Sequence, residues 1–208
     1  MIIRKIKNHL KPFLQAITGD RIVWRQKSIA KSVYLTFDDG PHPIHTPMLL
    51  DLLDNFNIKG TFFLVGEQVD KFPALAKEIV QRGHQVGSHS FYHGADIKKG
   101  IKDYDIEIKK CIEVIYRATG QRTNLFRPPW GTITTMLLAH CVTNGIRIIL
   151  WSYDSLDFEK ELNIRELDVS DGDIVLLHDD AIYCINILTK EVPRLIKRGF
   201  VFESIQNY

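Results

Sequence analysis

Cysteine is scarce in this chain. Cys111, Cys141 and Cys184 are the three in 208 residues, an odd and widely spaced set with no Cys-x-x-Cys pair. That argues against a disulfide framework and a thiolate metal site, and each lies in an apolar context suited to a reduced core cysteine. Net charge is slight too. With 27 Lys+Arg against 25 Asp+Glu it is +2, so no nucleic-acid partner is expected. No apolar run is long enough to span a bilayer. Repeats, low-complexity tracts and linkers are also missing. The 45% apolar and 25% charged residues suit one globular domain with a substantial core.

Acidic residues are missing from the first stretch, where Asp20 is the earliest. Ahead of it Ile2, Ile3, Ile6, Leu10, Phe13, Leu14 and Ile17 recur at helical spacing among Arg4, Lys5, Lys7 and Lys11. This predicts a basic amphipathic helix within an N-terminal extension, residues 1–30. Residues 1–19 would either make peripheral contact with an anionic membrane surface or pack on the domain's own core, closing a barrel end; the second is the simpler reading. Charge and apolar residues interleave rather than separate as in a secretory signal. The expected location is therefore the cytoplasm or the cytoplasmic face of the membrane.

Residues 31–208 read as one α/β domain. Strands are expected at residues 33–37, 61–65, 85–88, 125–127, 147–151, 174–178 and 200–204. Between them lie helical patterns: one opening with Thr46 as N-cap and Pro47 as first helical residue, then residues 73–82, 101–119, 134–143 and 182–198. The last is expected to break or kink at Pro193. About seven strands alternating with helices predict a parallel barrel or a doubly wound sheet.

Polar residues gather after the strands. The first strand runs into Asp38 and Asp39, with Gly40 and Pro41 forcing a turn. The third ends at His89, with His93 four residues on. The fourth delivers Arg127, Pro128, Pro129, Trp130 and Gly131. The fifth delivers Asp154 and Asp157, and the sixth His178, Asp179 and Asp180. Catalytic groups collected from several strand ends are what an α/β enzyme site needs. Two imidazoles spaced i, i+4 suit a zinc-like ion, and Asp39 supplies a third ligand. Three protein ligands leave a position for water, the catalytic arrangement.

These segments, Thr36 to Pro41, His89 to His93, Arg127 to Gly131, Asp154 to Phe158 and Leu177-His178, resemble the five ordered motifs of the polysaccharide deacetylases, the NodB-homology domain of carbohydrate esterase family four. The resemblance runs from about Val33 to Ser204. It implies a single-domain distorted (β/α) barrel and removal of N-acetyl groups from the amino sugars of an N-acetylated glycan. It also implies a divalent metal, usually Zn2+, with Co2+ or Ni2+ fitting the same ligands. Carried over, Asp39, His89 and His93 would hold the metal. Asp38 would be the general base and His178 the general acid. Arg127 would position Asp38, Asp157 would hold His178, and Asp154 would pair with Arg127 or with the same histidine. The Trp130 backbone amide would help hold the oxyanion, with Pro129 and Phe158 beside the substrate. Trp130 stands where a tyrosine is usual and Phe158 where a tryptophan is usual, changes that bear on the sugar more than on the chemistry.

The chemistry stands on its own. An amide is a poor electrophile and water a poor nucleophile, so a metal, a base and an acid on the opposite side are needed. The rival readings are hydrolysis of another C–N bond, such as a formamido sugar, and a non-catalytic carbohydrate-binding relic. His42 and His45 read as exposed loop histidines, His84 as satisfying a local hydrogen bond, and His9 and His140 as incidental. Asp179 and Asp180 either touch substrate or simply begin a loop or cap a helix. Trp24 and Trp151 read as core.

Overall fold

In a computed structural model, which describes residues 2–3, 18, 21–27, 30–94, 101–157 and 166–207, strands and helices alternate along the chain. The strands are β1 (Ile2–Ile3), β2 (Ile22–Val23), β3 (Ser32–Asp38), β4 (Thr61–Leu64), β5 (Gln85–Ser88), β6 (Leu125–Phe126), β7 (Ile133–Thr134), β8 (Arg147–Ile149), β9 (Tyr153–Asp154), β10 (Asp173–His178) and β11 (Val201–Phe202). The helices are α1 (His45–Asn55), α2 (Gly66–Lys71), α3 (Pro73–Gln81), α4 (Ile101–Thr119), α5 (Thr135–Thr143) and α6 (Ile182–Lys197).

Nine strands form one all-parallel sheet in the order β2-β8-β6-β5-β4-β3-β10-β9, with β11 added against β3. The sheet curls until its two sides meet. The Gln26 N–H donates to the Gly172 carbonyl at 2.9 Å, and the Ser152 N–H to that of Ile174 at 3.1 Å. This is the distorted (β/α) barrel. Every residue of β3 is buried, as a parallel strand covered on both faces requires. Its Phe37 ring packs 4.8 Å from that of Phe62. Among the described residues no helix is long and apolar enough to cross a membrane.

Several expectations change. The sheet has nine strands rather than about seven, because β2 and β9 have two residues each, too few to show a period. Thr46 is the second residue of α1, not its N-cap; its Oγ1 instead accepts the His42 N–H at 2.7 Å. Helix α6 runs through Pro193 without interruption. One backbone bond is lost there, but Cys184, Ile185, Leu188, Val192 and Leu195 are buried along it, each aliphatic residue worth about 1.5–3 kcal/mol. Ile2–Ile3 is extended rather than helical and pairs antiparallel with Ile133–Thr134, a role that suits two β-branched residues. The rest of the expected basic helix apart from Thr18, namely Met1, residues 4–17 and Gly19, lies outside the described residues, as does Phe158.

Parallel pairing puts every strand's carboxyl end on one side. Its register sets His178 beside Asp38, and Asp38 beside Phe63. It also sets Leu64 beside Ser88 and Ser88 beside Phe126. The chemical groups that follow these positions are therefore brought together.

Candidate active site

Asp38 is the last residue of β3 and is almost fully buried. Its Oδ1 accepts from Arg127 Nη1 at 2.8 Å. Arg127 is itself wholly buried, and donates also to Thr36 Oγ1 and to the carbonyls of Ile149 and Leu150. Its guanidinium lies 4.2 Å from the centre of the Phe63 ring. Burial pushes the Asp38 carboxyl above the ordinary carboxylate value, against the pull of Arg127 and His178.

Asp39 turns the other way. Its φ of 76° lies in the left-handed region and swings its side chain out of the strand's alternation. Its Oδ1 then lies 3.5 Å from His89 Nε2 and 3.4 Å from His93 Nε2. Two ligand atoms bound at about 2.05 Å around a tetrahedral ion stand roughly 3.4 Å apart, so this separation fits a shared cation. That oxygen is buried and accepts no hydrogen bond among the described residues. The His89 Nδ1–H donates to the Arg127 carbonyl at 2.7 Å, which fixes the tautomer that leaves the Nε2 lone pair facing Asp39 and able to ligate a cation. Burial, with Asp38 alongside, raises the Asp39 carboxyl against the pull of His89 and His93. A cation would relieve that crowding of buried carboxylates. Asp39, His89 and His93 are the one group of three such side chains among the described residues able to hold a metal.

His178 ends β10 next to Asp38. Its Nδ1–H donates to Asp157 Oδ1 and its backbone N–H to Asp157 Oδ2, both at 2.7 Å. Burial disfavours the imidazolium. The bond and charge of Asp157, with the charges of Asp38 and Asp39, outweigh it and raise His178 to about 9.

Trp130 sits in the 3-10 turn Pro129–Gly131 with φ 55°, half exposed, its ring 4.6 Å from that of His93. The Gly131 and Thr132 N–H groups close the turn onto Pro128 and Pro129. The Trp130 N–H takes no protein acceptor among the described residues. Pro129 follows Pro128 at the turn's start. Four of the five non-glycine residues with positive φ among the described residues, namely Asp39, Ser90, Trp130 and Leu156, ring this site. Strained backbone of this kind concentrates where side chains must be aimed.

A family model described as "Polysaccharide deacetylase" matches residues 25–149. The chain belongs to the polysaccharide deacetylase family. It is a hydrolase of carbon–nitrogen amide bonds. This deacetylase is 31% identical over 207 residues to a peptidoglycan-N-acetylglucosamine deacetylase of Bacillus cereus, covering 89% of this chain and 92% of the relative. It is 30% identical over 208 residues to a chitooligosaccharide deacetylase of Sinorhizobium fredii, covering 90% and 97%. The crystal structure of a peptidoglycan N-acetylglucosamine deacetylase in complex with 4-naphthalen-1-yl-N-oxidanyl-benzamide superposes with a TM-score of 0.83 at 28% identity, covering 92% of this chain and 94% of that one.

In the deacetylase the remaining positions read as follows. Asp154 is exposed and its Oδ1 accepts the Leu156 N–H at 3.0 Å, shaping the turn that carries Asp157. Arg127 bonds Thr36, Asp38 and two backbone carbonyls rather than Asp154, so of the two expected pairings of Asp154 the one with Arg127 falls away and the one with His178 stands. His42 and His45 stack at 4.4 Å. His84 accepts the Gly60 N–H, and burial lowers it to about 4. His140 is buried between α4 and α5 rather than incidental. Asp179 touches protein: Thr46 Oγ1 donates to its Oδ2 at 2.6 Å, and burial raises it to about 8.

Sequence reading missed Thr36 and Glu107. Thr36 Oγ1 accepts from Arg127, as noted. Glu107 collects three donors from residues 90–92. Its signal was present: Glu107 lies one turn from both Tyr104 and Cys111, a carboxylate on the apolar stripe of α4.

Proposed function

We propose that the protein hydrolyses the N-acetyl group of an amino sugar in a peptidoglycan-like or chitin-like glycan. One observation carries the reading. A single buried Asp39 oxygen stands between two imidazole nitrogens, while the adjacent Asp38 is clamped by Arg127 and faces the acid His178. A divalent cation held by Asp39, His89 and His93, of which Zn2+, Co2+ and Ni2+ all suit the donors, would polarise the amide carbonyl and acidify water.

The chain's own residues do the rest. Asp38, with Oδ1 committed to Arg127, takes the water proton on Oδ2. Its raised affinity for protons makes it a better base than an exposed carboxylate. Attack on the carbonyl carbon gives a tetrahedral oxyanion, to which the Trp130 N–H donates; such a donor is typically worth about 3 kcal/mol. The C–N bond then breaks. His178, kept protonated by Asp157, gives the Nε2 proton to the departing amine, so acetate and a free amino sugar leave. Trp130, Pro129 and Phe158 border the space for the sugar. Contact of residues 1–19 with a membrane surface on its cytoplasmic side, near a lipid-linked glycan, is the alternative to their packing on the domain, and the pairing of Ile2–Ile3 with Ile133–Thr134 supports the packing.

The test is acetate release from N-acetylglucosamine oligomers and peptidoglycan fragments, with Zn2+ or Co2+ and with chelator. Release that needs the metal supports the reading. Formate from a formamido sugar instead would redirect the acyl group. Glycan bound by metal-replete protein without turnover of any of these would favour the relic.

A further inference from the structure

We propose that Glu107 is the positioning residue that fixes the segment between His89 and His93, and through it the His93 ligand; this rests on the reading of Asp39, His89 and His93 as a cation site. One carboxylate oxygen, Glu107 Oε2, accepts from Ser90 Oγ at 2.8 Å, from the Phe91 N–H at 3.1 Å and from the Tyr92 N–H at 2.9 Å. The opposite edge of the same segment is held too. The Gly66 and Glu67 N–H groups, at the start of α2, donate to the Ser90 and Phe91 carbonyls, both at 3.0 Å. The Lys110 ammonium, one turn along α4 from Glu107, sits 3.5 Å from the centre of the Phe91 ring.

The segment needs this hold. His89 is anchored at the strand end: its N–H donates to the Leu64 carbonyl at 2.8 Å, and its ring to that of Arg127. The chain must then reverse to bring His93 back onto Asp39, and it does so through Ser90 at φ 73°. A serine in the left-handed region is disfavoured, so outside contacts must impose the turn. Glu107 supplies three acceptor bonds at that turn, and its charge strengthens each of them. Because all three meet on one oxygen, a neutral carbonyl of the same shape keeps the geometry.

The experiment uses the full chain and Co2+ as probe, with affinity read by chelator competition and ligand geometry by the visible spectrum. Glu107→Ala is expected to weaken Co2+ binding about 10- to 100-fold, as loss of a ligand's orienting partner does, and to alter the spectrum. Glu107→Gln is expected to stay within a few-fold of wild type with an unchanged spectrum. If Glu107→Ala does not fold, Ser90→Ala removes one donor and should weaken binding about fivefold, the worth of one hydrogen bond. Wild-type affinity in the folded Glu107→Ala protein, or in Ser90→Ala where that variant stands in, overturns the proposal, as does a Glu107→Gln protein as weak as Glu107→Ala. If Asp39→Asn binds Co2+ as tightly as wild type, the cation-site reading itself fails instead.

Discussion

Adjacent residues in this site are separated in role by backbone and partner. Asp38 keeps strand geometry and meets Arg127, whereas Asp39 takes a left-handed φ and meets two histidines. His178 shows the same logic in its ionisation. Asp157 holds it protonated to about 9, above the ordinary 6.5. A raised histidine stabilises the fold fully below 6.5, and that stabilisation is lost as pH rises through about 9. The loss of stability in Asp157→Ala, measured by urea unfolding of metal-free protein, should therefore be larger at pH 6 than at pH 10. NMR titration of the His178 ring should likewise fall towards the ordinary value in that variant. The gathering of these groups was legible in the sequence because each follows a strand end, and the histidine spacing pointed to Asp39; that Arg127 pairs with Asp38 and Asp157 with His178 came from the resemblance to the family's motifs. The turn that Asp154 shapes was not legible, since a carboxylate accepting from the backbone two residues on gives no separate signal in the sequence.

At the level of elements, the turn after β3 is locked against the turn after β10. The Asp179 N–H donates to the Asp38 carbonyl at 3.1 Å, and its carboxyl group occupies the space a Cβ on Gly40 would take. Gly40→Ala should destabilise by about 1–3 kcal/mol through overpacking. Asp179→Gly in the same chain should recover part of that, a non-additivity that a double-mutant cycle of unfolding free energies would read. Sequence periodicity located the long elements here. It found α4 at residues 101–119 because four turns of apolar stripe are unambiguous. It missed α2, six residues opening on a buried glycine, and the two-residue strands, whose positions are set by partners distant in sequence. The break expected at Pro193 is absent for a related reason: the burial that carries α6 through it is tertiary.

Across the whole molecule, Arg127 joins the site to the barrel. Rising from the end of β6, it bonds Thr36 and Asp38 of β3 and the carbonyls at the end of β8, so one guanidinium spans the interior. Removing one member of a buried pair costs about 3–5 kcal/mol, because the other is left uncompensated. Urea unfolding of Arg127→Met should show a loss of that size; Asp38→Asn keeps an acceptor for Arg127 but removes its counter-charge, so it should lose less than Arg127→Met and still be measurably destabilised. Loss of activity in the arginine variant would therefore mix folding with chemistry. The two aspartates separate them, and the decisive measurement is Co2+ affinity and acetate release side by side in Asp38→Asn and Asp39→Asn. Asp38→Asn should bind Co2+ as wild type does and release acetate at least about 100-fold more slowly, while Asp39→Asn should lose the metal. Acetate release by Asp38→Asn within a few-fold of wild type, or undiminished metal affinity in Asp39→Asn, would contradict the account.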